Sequence, residues 1–225
     1  METAKREMTF LLAAPEQRLL RWIAVRLPRF MRPNHLTVIG VLGAAGVGVG
    51  YALAGRHPAW LWLASGMLVV NWFGDSLDGT LARVRKIERP KYGYYIDHMV
   101  DAFNTAVIGA GIGFSPYVHL ELALVLVIIY LALSINIYLE SSVFGVFEIS
   151  YGIFGPTEVR ILLILVNTGL LIAASSRNAV ADVAAVANVV VAGLSIVMFA
   201  ALAIRFGKNL TRLARLEPQR RRSLS

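Results

Sequence analysis

The chain has 225 residues, of which 57% are hydrophobic and 16% charged, and it carries a formal net charge of +8. So apolar a composition excludes a soluble domain of this length, and the absence of cysteine excludes disulfides and thiolate metal sites. Beside so many apolar stretches, the basic excess reads as a topology signal and a contact for anionic membrane lipids, not as a nucleic-acid surface.

Taken in chain order, the first apolar stretch, Phe10 to Ala14, is too short for a signal core, so no cleavable signal is expected. Pro15 to Phe30 reads as an amphipathic surface helix. Arg18, Arg21, Arg26 and Arg29 share one face, and Leu19, Leu20, Ile23, Leu27 and Phe30 share the opposite one. Pro33 then interrupts the pattern. Six apolar stretches follow at about 36–54, 59–84, 92–114, 117–140, 156–175 and 181–205, each near the ~20 residues that a spanning helix needs. The expected fold is therefore an all-α integral membrane protein with six transmembrane helices and an N-terminal amphipathic helix. A cytoplasmic segment, 1–34, precedes a membrane domain, 35–206, and a basic tail follows over 207–225.

All Lys and Arg residues except Arg56 and Arg177 fall on one side of this layout. The positive-inside rule therefore puts both termini in the cytoplasm. Within the first span, Gly46, Gly50 and Ala45 suit close helix packing; a phosphate loop would need a preceding strand. Trp60 and Trp62, at the opposite surface, read as interfacial anchors.

The second and third stretches carry acids where a membrane helix can least accommodate them. Asp75 and Asp78 are three residues apart and Asp97 and Asp101 four apart, so each pair lies on one helix face, with Asn71 and Gly93 one turn earlier. A charged side chain at bilayer depth costs about 2.5–3.5 kcal/mol on insertion scales, so these acids should face inward and serve a function. Four carboxylates without His or Cys make a hard, all-oxygen site suited to Mg²⁺ or Mn²⁺. Two such ions would balance the four charges and form the usual clamp for an in-line phosphoryl displacement. Arg83 adds positive charge for a phosphate, and Gly79 and Gly93 remove bulk near the mouth. His98 falls on a different face and reads as a packing or surface residue, not a ligand.

The full pattern, D-x₂-D-G-x₂-A-R-x₉-G-x₃-D-x₃-D from Asp75 to Asp101, resembles the signature of the CDP-alcohol phosphotransferase family, also called CDP-alcohol phosphatidyltransferases. Asp75, Asp78, Gly79, Ala82, Arg83, Gly93, Asp97 and Asp101 all match. The resemblance extends to the six-span layout, the surface helix and the P-N-H-L-T entry to the first span. It implies that an alcohol hydroxyl attacks a phosphorus of a CDP-linked donor, forming a phosphodiester and releasing CMP at the cytoplasmic surface. By position, Asp75, Asp78 and Asp97 would hold the metals, and Asp101 would join them or act as the base. Asn34, Thr37, Gly79, Ala82, Arg83 and Gly93 would line the nucleotide. The resemblance is also compatible with a homodimer. An ion or proton pathway is the alternative use of intramembrane acids, but it has no need of Gly79, Arg83 and Gly93 at these spacings.

The acceptor is less legible. Arg160 and Arg205 open the fifth span and close the sixth, where they suit a phosphorylated acceptor or simply set topology. Against this, G-P-T-E-V-R at 155–160 resembles a segment of choline and ethanolamine phosphotransferases. With Asn136, Glu140, Glu148 and Glu158, and aromatics Tyr138, Phe144, Phe147, Tyr151 and Phe154, it could receive an amine head group. That reading would pair a CDP-amino-alcohol donor with diacylglycerol. A further alternative is that Glu158 and Arg160 pair with each other. The preferred expectation is a CDP-diacylglycerol donor and a polar, phosphorylated acceptor, with Glu140, Glu158, Arg160 and Arg205 as acceptor-side candidates.

Overall fold

A computed structural model describes residues 12–144, 156–173 and 177–217, and every regular element among them is an α-helix. In chain order these are α1 (Ala13–Arg26), α2 (Pro33–Leu53), α3 (Trp60–Arg85), α4 (Pro90–Gly113), α5 (Leu120–Phe144), α6 (Pro156–Ala173) and α7 (Arg177–Leu216). Proline sets several boundaries. Leu27 precedes Pro28 and turns extended, ending α1, while Pro33 and Pro90 occupy first-turn positions where the missing N–H costs nothing.

Among the described residues, three helices are long and apolar enough by length and composition to cross a membrane: Pro33–Leu53, Leu120–Phe144 and the Val180–Leu216 part of α7. The last helix also runs through Leu216, so the expected basic tail from 207 is helical over its first turns. Lys208, Arg212 and Arg215 are strong helix formers, and the Arg212 guanidinium lies 4.3 Å over the Phe144 ring.

Small residues bring α2 and α3 together at backbone distance. A Cβ added to Gly43 would stand 2.5 Å from the Asn71 amide nitrogen, and one on Gly50 2.7 Å from that of Ala64. Gly74 returns the contact, lying against the Gly40 nitrogen and the Leu36 carbonyl. Gly48 and Gly111 do the same between α2 and α4. The packing expected of Gly46 is present too, against the Met67 side chain. Such contacts bind helices where the surrounding solvent offers no hydrophobic drive.

The buried apolar residues form two clusters. One gathers Leu20 and Ala24 of α1, Leu36 of α2, and Leu77 and Leu81 of α3. The other is centred on Val47, Tyr51, Leu61, Ala64 and Leu68 and reaches α6 at Leu170. Within the latter, the Tyr51 hydroxyl donates to Asn167 Oδ1 at 3.0 Å, and Asn167 Nδ2 donates to Ser65 Oγ at 3.1 Å. This polar pin secures α6 to α2 and α3 in an apolar setting, where an unmade bond would be expensive.

The inward stripe of α1 is Ala13, Leu20 and Ala24, flanked by Ile23 and Leu27. Leu19 and Phe30, expected on the same face, are exposed, Phe30 because the helix has already ended. Arg85, at the end of α3, gathers the backbone carbonyls of Leu27, Pro28, Arg29 and Met31, fixing the link between α1 and α2. Trp60 and Trp62 are exposed, as suits interfacial anchors.

Candidate active site

Both α3 and α4 pack against α2, and this brings their aspartates to adjoining faces. Asp75, Asp97 and Asp101 each bring a carboxylate oxygen within 4.8 Å of the others, a grouping able to hold a metal ion. Asp78 stands beside this trio. Its Oδ2 accepts from Thr37 Oγ1 at 2.6 Å, and its Oδ1 accepts from the Gly79 amide at 2.5 Å. Thr37 is itself buried, and its one hydroxyl hydrogen goes to the nearer acid, with the Pro33 carbonyl 3.2 Å from the same oxygen.

The cationic counterpart comes from α6. Arg160 Nη2 lies 2.6 Å from Asp75 Oδ2, and its Nε donates to Asn71 Oδ1 at 3.0 Å. Asn71 is buried and donates onward to the Gly40 carbonyl at 2.9 Å. A continuous polar chain thus runs from α6 through α3 to the backbone of α2. The planar fork of arginine suits such two-point contact, which a lysine could not reproduce.

The other expected residues divide. Arg83 is exposed, donates from Nη2 to Thr80 Oγ1 at 3.1 Å, and lies against Gly79, where an added Cβ would come within 3.3 Å of its Nη1. Ala82 is half-buried on the same turn. Gly93 is exposed and a Cβ there would meet nothing within 4 Å. Asn34, also exposed, donates to the Tyr92 hydroxyl at 3.1 Å, joining the starts of α2 and α4.

On the acceptor side, Arg160 reaches the aspartates, whereas Arg205 Nη2 pairs with Glu140 Oε2 at 2.8 Å between α7 and α5. Glu158 Oε1 accepts from the Leu12 amide at 2.9 Å. Glu158 and Arg160 thus diverge, as residues two apart on a helix must. His98 is stacked between Tyr94 and Tyr138, with ring centroids 4.1 and 4.4 Å away, and its Nδ1 is 3.4 Å from Asp97 Oδ2. This is a packing role, on the margin of the site. Glu148, Phe147, Tyr151 and Phe154 lie outside the described residues.

One group was not anticipated. Glu16 of α1 collects Trp72 Nε1 at 2.6 Å, Thr157 Oγ1 at 2.7 Å and Ser76 Oγ at 3.4 Å on its Oε1. A signal existed: Glu16 falls between Ala13 and Leu20 on the inward stripe of α1, an acid where an apolar residue would be expected.

Most of the chain matches a known family. The sequence profile of the CDP-alcohol phosphatidyltransferases matches residues 30–197, and the chain belongs to that family. Over 81 residues it is also 36% identical to a phosphatidylinositol phosphate synthase of Cutibacterium acnes. That match covers 36% of this chain and 36% of the relative's own length.

Proposed function

We propose that the protein is a phospholipid-forming transferase. It moves a phosphatidyl group from a CDP-linked donor, CDP-diacylglycerol by preference, to an alcohol and releases CMP. The observation that carries this reading is the meeting of the Asp75, Asp97 and Asp101 carboxylates with the Arg160 guanidinium. Metal-type and anion-type groups converge there, as transfer of a phosphate requires.

The donor set consists of hard carboxylate oxygens, which fits Mg²⁺ or Mn²⁺, with Asp75, Asp97 and Asp101 as holders and Asp78 alongside. Bound there, a pair of divalent ions would offset the charge on the attacking and leaving oxygens. The chain's own residues do the rest. Thr37 holds the Asp78 carboxylate in place, and Gly79, Ala82, Arg83, Asn34 and Gly93 form the surface for the cytidine diphosphate. Asp101 takes the proton from the acceptor hydroxyl. That oxygen bonds to the lipid-bearing phosphorus, the bond from this phosphorus to the bridging oxygen breaks, and the electron pair leaves with CMP.

The acceptor we favour carries a phosphate, as a phosphorylated polyol would. Arg160 lies beside the reacting groups, and the named relative makes phosphatidylinositol phosphate. The amine-recognition alternative is less well supported, because Glu140 is occupied by Arg205 and Glu158 by the Leu12 amide. Family membership and the Arg160 bridge likewise favour transfer over an ion or proton pathway.

We read α2 to α7 as six spanning helices and α1 as lying at the cytoplasmic surface with the site and both termini. CMP release by the purified protein should be measured with CDP-diacylglycerol, CDP-choline and CDP-ethanolamine, against phosphorylated and unphosphorylated alcohols and diacylglycerol, with Mg²⁺ or Mn²⁺. CDP-diacylglycerol with inositol phosphate or glycerol phosphate is expected to support turnover. Turnover with only CDP-choline or CDP-ethanolamine and diacylglycerol would reverse the assignment of donor and acceptor.

A further inference from the structure

We infer that Glu16 is a positioning residue that sets the start of α6, and with it Arg160, through a hydrogen-bonded node between the surface helix and the site. The inference rests on the acceptor role given to Arg160 above. Glu16 Oε1 receives Thr157 of α6 and Trp72 of α3 at 2.7 and 2.6 Å, with Ser76 of α3 at 3.4 Å. Three helices therefore meet on one carboxylate oxygen. A second link, from the Leu12 amide to Glu158 at 2.9 Å, ties the same two elements, α1 and α6.

The register of α6 gives this node its consequence. Thr157 and Arg160 are three residues apart, so they share the face turned toward α3. Ser76 adjoins Asp75, the carboxylate that Arg160 meets at 2.6 Å. Pinning Thr157 to α1 and α3 thus fixes the first turn of α6 directly before the arginine. Bonds to a charged acceptor are the stronger kind, and small misplacements of a substrate-orienting group reduce turnover disproportionately. Glu16 is the one acid in α1, amid Arg18, Arg21 and Arg26, and its Oε1 is turned to donors of the bundle.

Two variants test this without touching the aspartates or Arg160. Glu16→Ala removes the acceptor, and Thr157→Val removes only the α6 donor while keeping the side chain's shape. Hydrogen–deuterium exchange, which needs no activity, should show faster exchange over 157–161 in both, with α3 around Asn71 unchanged. In CMP-release assays with CDP-diacylglycerol and a phosphorylated acceptor, both should raise the acceptor KM about tenfold and leave the donor KM within about twofold. Glu16→Gln, which retains an acceptor oxygen, should recover most of the loss. Unchanged exchange in α6, loosening spread equally over α3, or a parallel rise in both KM values would overturn the inference. If no tested pair of donor and acceptor leads the unmodified protein to release CMP, the transferase reading falls, and the exchange data alone still decide whether Glu16 positions α6.

Discussion

Arg160 and Asp75 are 85 positions apart in the chain and 2.6 Å apart in the fold. The contact joins α6 to the first aspartate of the signature. It makes Arg160 both a partner of the acidic site and a candidate ligand for an anion arriving there.

Replacing Arg160 should therefore separate binding from chemistry. Arg160→Ala is expected to lower kcat/KM for a phosphorylated acceptor by about a hundredfold, the size of one lost charge-assisted bond of up to ~3 kcal/mol. Arg160→Lys should recover little, since one ammonium cannot serve both Asn71 and Asp75. Steady-state kinetics with the acceptor varied and the donor saturating would check this. A loss of similar size with an unphosphorylated acceptor would assign Arg160 to the aspartates alone.

Asp101→Asn should remove turnover by about 10²- to 10⁴-fold, the usual worth of a general base, while donor binding survives. Isothermal titration of CDP-diacylglycerol in detergent, set beside the CMP-release rate, measures both. Equal loss of the two would make Asp101 chiefly a metal ligand.

Thr37→Val keeps the shape of a buried side chain and deletes the 2.6 Å bond to Asp78. Because the Gly79 amide still holds the other oxygen, the effect should be moderate: about a tenfold rise in donor KM with kcat reduced less. Donor titration of the rate tests it, and an unchanged donor KM would detach Thr37 from the nucleotide side.

Gly74→Ala should destabilise the bundle by about 1–3 kcal/mol, as overpacking does, because the new methyl meets the Gly40 nitrogen and Leu36 carbonyl backbone. Gly66→Ala is the control. A Cβ there meets nothing within 4 Å, so the better helix former should be neutral or stabilising by up to about 1 kcal/mol. Thermal unfolding of both variants in detergent gives the comparison.

The site was legible where it is local. Asp75, Asp78, Asp97 and Asp101 announce themselves by helical spacing in apolar stretches, and three of them converge as the spacing suggests. The separate engagement of Asp78 by Thr37 was not legible as such, because it depends on how closely glycines let α2 approach α3. Glu158 and Arg160 looked like possible partners on a linear reading, yet positions two apart face different neighbours. Glu16 meets Thr157 across 141 positions, a relation that no local pattern encodes. The helices themselves were expected close to where they lie, except at α7. There the residues from 207 read as a basic tail beyond the last span, although lysine, arginine and leucine are good helix formers and the helix continues to Leu216.

The Tyr51–Asn167–Ser65 pin bears on how α6 can move. Asn167 and Arg160 are seven residues apart on one face, about 10 Å along the helix axis. Two fasteners on one face at different heights oppose sliding and tilting of the helix and confine any roll to a swing about the line that joins them. The deep amide therefore serves as a keyway: it sets the compass bearing of a guanidinium two turns away without coming near the reaction.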